Sequence, residues 1–171
     1  MLQVLMGPIQ VQHNQLTFMG KTYRCAIGKG GFSASKKEGD GATPLGAFAL
    51  RKCWYRHDKI DCVVTHLPLS IIREDYGWSD DPSKPDYNRL VRLPYAGSHE
   101  KLWRDDGLYD VFVEIGYNDD PVVTGRGSAI FLHCATDDYK PTEGCVALAK
   151  NDLLSILHHI DEKTRITIRE A

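Results

Sequence analysis

Two residues of this chain are spaced to do nucleophilic chemistry. His133 ends an apolar run, Ile130-Phe131-Leu132, and Cys145 follows twelve residues later, between Gly144 and a second apolar run, Val146-Ala147-Leu148. The thiolate, not the thiol, is the nucleophile, and a neighbouring imidazole is the usual means of making one near pH 7. Gly144 adds a further element. Without a Cβ, a turn can press against a substrate and aim amide N–H groups at a developing oxyanion. The stretch Thr142-Glu143-Gly144-Cys145 is turn-like between two apolar runs, which sets Cys145 at an accessible edge and not in mid-core. The expected chemistry is acyl transfer. Cys145 would be the nucleophile and His133 the base, the two resting as an ion pair. The backbone around Gly144 would supply oxyanion donors, and Thr142 would orient the turn. A backbone carbonyl would serve as the partner of the other imidazole nitrogen.

These residues need strands to hold them, and most of the chain reads as β. Short apolar or alternating pieces lie at 4–6 and 9–12. Residues 15–18, Met19-Gly20 and 21–27 read as a hairpin with glycine at the turn. The Gly-rich segment 28–41 has no GK[ST] and no helical pattern after it, so it is turn chemistry and not a phosphate cradle. Further strands are expected over 46–55, 62–67, 90–93, 108–115, 128–133 and 164–168. Residues 71–94 are irregular, with Pro82, Pro85 and several aspartates; so long a connection reads as a lid or binding loop. One helix is expected: Asn151 is its N-cap, and Leu153, Ile156, Leu157 and Ile160 fall on one stripe. The fold class predicted is mainly β, an antiparallel β sandwich or open barrel with one late α-helix, as a single domain over 1–171.

Composition narrows the function. A chain that is 42% hydrophobic and 26% charged is an ordinary globular protein. A formal net charge of −2 gives no electrostatic footing on nucleic acid or an anionic membrane, so neither is expected as a partner. Five cysteines cannot all pair, which leaves at least one free thiol. None is spaced as C-x-x-C and no fourth ligand accompanies His133, Cys134 and Cys145, so no metal and no cofactor is expected. Cys25, Cys53 and Cys62 read as small core residues. The start MLQVLMGPIQ lacks a basic n-region and a sustained apolar h-region, and no run is long enough to span a bilayer. Taken alone, these features predict no export signal and a cytoplasmic location.

The segment from His133 to Val146 resembles the catalytic motif of the L,D-transpeptidase (YkuD-type) family: a His on a strand, a short loop, then Ser/Thr-x-Gly-Cys and Val/Ile. His133, Thr142, Gly144, Cys145 and Val146 match it. Thr43-Pro44-Leu45-Gly46-Ala47-Phe48 is similar to the family's T-P-x-G-x-F element, and 78–91 and 127–133 are similar to its short, single-domain branch. The likeness runs from about residue 4 to 168. It implies a β sandwich with a helix beside it, and an enzyme that joins peptidoglycan stem peptides or their precursors through a Cys145 thioester. Such a substrate implies the periplasm or cell envelope. The alternatives are a hydrolytic L,D-carboxypeptidase, endopeptidase or other cysteine amidase, or a β-sandwich binding module without catalysis. The chain departs from the commonest motif: Glu143 stands where His is usual, Cys134 where a small residue follows the His, and Ala147 where Arg often follows the Cys. That Arg is usually credited with holding a substrate carboxylate. Arg89 is the expected substitute, with Tyr87 and Trp78 as further substrate contacts.

Overall fold

The computed structural model describes residues 7–171, so the piece expected at 4–6 lies outside the described residues. The chain opens with β1 (Ile9–Gln12), β2 (Gln15–Phe18) and β3 (Lys21–Ala26). Two short pieces follow, β4 (Phe32–Ser33) and β5 (Thr43–Pro44), then the long β6 (Gly46–Tyr55) and β7 (Leu69–Ile71). Next come β8 (Tyr76–Ser79), β9 (Leu90–Arg92) and β10 (His99–Lys101). The order ends with β11 (Val111–Ile115), β12 (Phe131–Cys134), β13 (Val146–Leu148), the helix α1 (Lys150–Leu157) and β14 (Arg165–Ile168).

The hairpin is as expected. Phe18 pairs with Lys21, and Met19 and Gly20 both have positive φ (50° and 75°), the two-residue turn whose twist matches that of its strands. The larger sheet differs from the expectation in two ways. Its strands run β11-β12-β13-β3-β2-β1-β14-β6, and β6 pairs back to β11, so the barrel is closed and not open. It is also mixed: β12 and β13 are parallel, as are β1 and β14, in place of an antiparallel sandwich. Alternation along a strand reports which side faces inward but not the direction of the neighbour. Closure leaves no unpaired edge in the ring.

One residue in two points into the barrel. Val11, Leu16, Cys25, Cys53, Val113, Leu132, Val146 and Ile166 share that interior core, and α1 adds Leu153, Ile156 and Leu157 to it. The helix starts two residues earlier than expected. Ala149 takes the cap position with no side-chain bond, because the chain passes from β13 into the helix almost without a loop. No strand forms over 62–67: Val63 and Leu67 drop singly into the core, Cys62 is exposed, and Leu69–Ile71 takes the place beside β6 instead. The irregular 71–94 stretch holds two strands, β8 and β9, which form a small sheet with β10. That sheet and its flanking loops lie over the outer face of β6, β11 and β12. There Trp54, Phe112 and Phe131 meet Trp78, Leu102 and Tyr109 in a second apolar cluster, to which Cys145 belongs.

Candidate active site

The strand period assigns the two chemical residues to one face. On β12, Leu132 and Cys134 point into the barrel, so Phe131 and His133 point out. On β13, Val146 and Leu148 point in, so Cys145 and Ala147 point out. The strands are parallel neighbours with Leu132 opposite Val146 and His133 opposite Ala147, so Cys145 and His133 emerge on the same outer surface of the barrel, diagonal to one another across the two strands. Both line one cavity of about 780 Å³, whose walls include Lys36, Glu38, Asp80, Glu100, Arg104 and Tyr109.

The turn before Cys145 is held by Thr142. Its hydroxyl donates to the Cys145 carbonyl at 2.7 Å and accepts the Gly144 amide at 3.1 Å. Gly144 has φ +138°, and a Cβ there would lie 2.8 Å from the carbonyl oxygen of Ala42, so the loop that packs on this turn excludes any side chain. Glu143, at the exposed rim of the same cavity, pairs with Lys29 at 2.8 Å.

His133 Nδ1 lies 2.8 Å from the Cys134 carbonyl oxygen. A carbonyl only accepts, so Nδ1 carries the proton and Nε2 is the basic nitrogen. The ring stands edge-on to Tyr109, centroids 5.3 Å apart. Burial, helped by the Arg104 guanidinium, pushes His133 down to about 4, while the backbone carbonyls of Cys134 and Leu108 pull the other way. Cys145 donates its S–H to the Ala129 carbonyl at 3.1 Å and accepts the Phe131 amide at 3.3 Å. Burial first, and then the Glu100 carboxylate, push this thiol up to about 12, against the pull of the Phe131 amide and the Lys36 ammonium. The expected resting ion pair is therefore corrected. At neutral pH this is a neutral thiol beside a neutral imidazole, because a charge on either would be cut off from water.

Glu100 is the acid nearest in effect to the thiol. Tyr109 donates its hydroxyl to it, and Arg104 lies 3.8 Å away. Burial raises the Glu100 carboxyl and holds the Tyr109 phenol well above its ordinary value. Asp80, also on the cavity wall, leaves Oδ1 buried without a hydrogen-bond partner among the described residues.

The three residues expected to touch substrate are not brought to the cavity wall. Arg89 is exposed and lies outside the lining. Trp78 is buried behind the site, edge-on to Phe131 at 5.1 Å, with its indole N–H on Asn88 Oδ1 at 2.9 Å. Tyr87 is buried too; its hydroxyl donates to Glu38 and accepts the Gly127 amide at 2.9 Å, so it reaches the cavity only through Glu38. The cations that do line the cavity are Lys36, Lys101, Arg104 and Lys140. No motif in the sequence marked them, nor Glu100 and Tyr109; Lys36 lay in a loop read as turn chemistry. Cys25 and Cys53, pushed up to about 12 by burial, and Cys134, pushed to about 11, are buried barrel residues, whereas Cys62 is an exposed free thiol.

Comparison with known proteins adds the family. The model of the L,D-transpeptidase catalytic domain (YkuD) matches residues 10–168. Among curated proteins none matches the chain. Similar solved structures include the following two. The helical cell shape determining protein Pgp2 from Campylobacter jejuni is 16% identical, with TM-score 0.47 over 95% of this chain and 46% of that one. L,D-transpeptidase 1 of Mycobacterium tuberculosis is 10% identical, with TM-score 0.42 over 94% of this chain and 58% of that one. This chain thus spans about half the length of each of these two structures.

Proposed function

Because this chain belongs to the L,D-transpeptidase catalytic domain family, we propose that it transfers the acyl group of a peptidoglycan stem peptide through a thioester on Cys145, within one catalytic domain and in the cell envelope. The observation that carries this reading is the emergence of Cys145 and His133 on one face of adjacent parallel strands, at the wall of a single cavity. Among the described residues no helix is long and apolar enough to cross a membrane.

The resting geometry supports one order of events. The thiol is engaged with the Ala129 carbonyl, and proton transfer between two neutral buried groups is uphill. Substrate must therefore seat first, turn the S–H toward His133 Nε2 and supply the carbonyl that takes up the new charge. The proton passes to Nε2 as the C–S bond forms and the carbonyl pair moves onto oxygen. Collapse of the tetrahedral intermediate breaks the C–N bond, and His133 returns its proton to the leaving amine. With the Gly144 amide already on Thr142, the Cys145 amide is the backbone donor of this corner best suited to the oxyanion. The substrate carboxylate then falls to the cavity's own cations, Lys101, Arg104 or Lys140, in place of Arg89. An acceptor amine resolves the thioester to a cross-link; water would resolve it to a hydrolysed peptide.

Mass mapping after incubation with a tetrapeptide muropeptide, with and without an acceptor amine, tests the reading. The expected result is an acyl adduct on Cys145, a cross-linked product only when the amine is present, and no adduct or turnover in Cys145→Ala. Turnover in that variant, or an adduct on Cys134, would overturn the assignment. A hydrolysed product regardless of amine would assign the carboxypeptidase reaction instead.

A further inference from the structure

Lys36 is an unusual residue to bury. Its side chain is 3% exposed, and a lysine is almost never enclosed unless its charge is paired. Among the described residues its ammonium has one partner, Asp40 Oδ1 at 2.7 Å, although the group carries three N–H donors. Asp40 is itself held by the amides of Lys37 (2.7 Å) and Ala42 (2.9 Å), so it anchors the ammonium from the loop side. The stem of Lys36 runs over Gly127, where a Cβ would lie 2.7 Å from its Cε. The head stops at the turn before the nucleophile: a Cβ on Gly144 would lie 3.4 Å from Nζ. Lys36 also lines the same cavity as Cys145. The path of this side chain, between two glycines and into the cavity, delivers a cation with spare donors to the corner where Cys145 sits.

We propose that Lys36 is a charge-stabilising residue of this site, its ammonium balancing the negative charge that forms on the Cys145 sulfur and on the attacked carbonyl oxygen. Lys36 keeps its own proton throughout; the thiol proton goes to His133 and on to the leaving amine. The carbonyl oxygen gains the electron pair as the C–S bond forms and returns it as the C–N bond breaks. The direction of the field agrees: Lys36 favours the thiolate, whereas Glu100 opposes it. Preorganised charge in an enclosed site acts without reorganisation at the moment of reaction. The role at the carbonyl oxygen rests on the acyl-transfer reading above; the role at the sulfur does not.

The experiment uses the full chain in a Cys62→Ser background, because Cys62 is the exposed competing thiol. Lys36→Met keeps the stem and removes the charge, and Lys36→Arg keeps the charge. Carbamidomethylation of Cys145 by iodoacetamide is followed by mass spectrometry at several pH values, alongside acylation by the donor peptide and thermal unfolding. Below the thiol midpoint the rate rises with pH; Lys36→Met should drop that whole line about tenfold and slow acylation by roughly tenfold to a hundredfold. Lys36→Arg should recover most of both. A folded Lys36→Met whose alkylation line superimposes on that of the parent overturns the proposal. So does an equal fall in Lys36→Arg and Lys36→Met, which would mark a packing role. If the parent Cys145 takes no acyl group from peptide while the alkylation line still drops in Lys36→Met, the substrate reading fails and the action of Lys36 on the thiol stands.

Discussion

Gly144→Ala tests how tightly the nucleophile's turn is built. Two costs add. The residue sits at φ +138°, a backbone region that side chains rarely adopt, worth about 1–3 kcal/mol. The new methyl would also meet the Ala42 carbonyl oxygen at 2.8 Å, with Ile130 Cδ1 at 3.3 Å behind it. Ala42 cannot retreat easily, because Asp40 binds its amide and the next residue, Thr43, receives the Gly28 amide on its hydroxyl at 2.8 Å. A clash against anchored backbone adds about 1–3 kcal/mol. The expected loss is therefore about 2–6 kcal/mol, which for a chain of this size lowers Tm by roughly 4–24 °C. Any relaxation must push the Cys145 amide and sulfur off line, so peptide acylation should fall by more than about a hundredfold even where the protein stays folded. Gly125→Ala is the matched control: φ is +81° and nothing lies within 4 Å, so it meets backbone strain alone. Differential scanning calorimetry and acylation rates are compared for the two. Equal Tm shifts, or a Gly144→Ala protein with parental acylation, would refute the reasoning that the Ala42 contact enforces glycine.

Two other predictions concern His133 and Arg89. His133 falls from an ordinary 6.5 to about 4 in the folded chain, so between these values the unfolded state binds the extra proton and stability rises with pH. Acidification from pH 6.5 to 4 should cost about 3 kcal/mol, at 1.36 kcal/mol per unit, of which His133→Gln loses most. Urea denaturation across that window checks it, and an unchanged slope in the variant would contradict it. Arg89→Ala should leave peptide acylation within about twofold of the parent, because an exposed charge outside the cavity gains little from a distant anion; steady-state kinetics with the donor peptide would show otherwise if KM rose tenfold.

Much of the site is legible in the sequence alone. His133 and Cys145 each stand where an apolar β run meets a turn, and Gly144 beside the Cys signals a backbone with no room for a side chain. Those are local properties, written in residue type and spacing. The Met19-Gly20 turn and the helical stripe from Leu153 to Ile160 were legible for the same reason. Other features were decided by tertiary structure. Whether β12 and β13 run parallel, and so whether Cys145 and His133 share a face, depends on how the loop between them returns, which no alternation pattern encodes. Closure of the barrel through β6 and β11 is a pairing across more than fifty residues. The protonation state of the pair was misjudged from sequence because it follows from burial and from Glu100, a residue 45 positions away from Cys145 with no motif of its own. Arg89, chosen for its place in the chain, faces solvent, while Lys36 reaches the nucleophile's turn from a glycine-rich loop at the other end of the molecule's sequence. A short local pattern can name the groups that react. The field, the solvent exclusion and the neighbours that set their charge come from segments brought together only by folding.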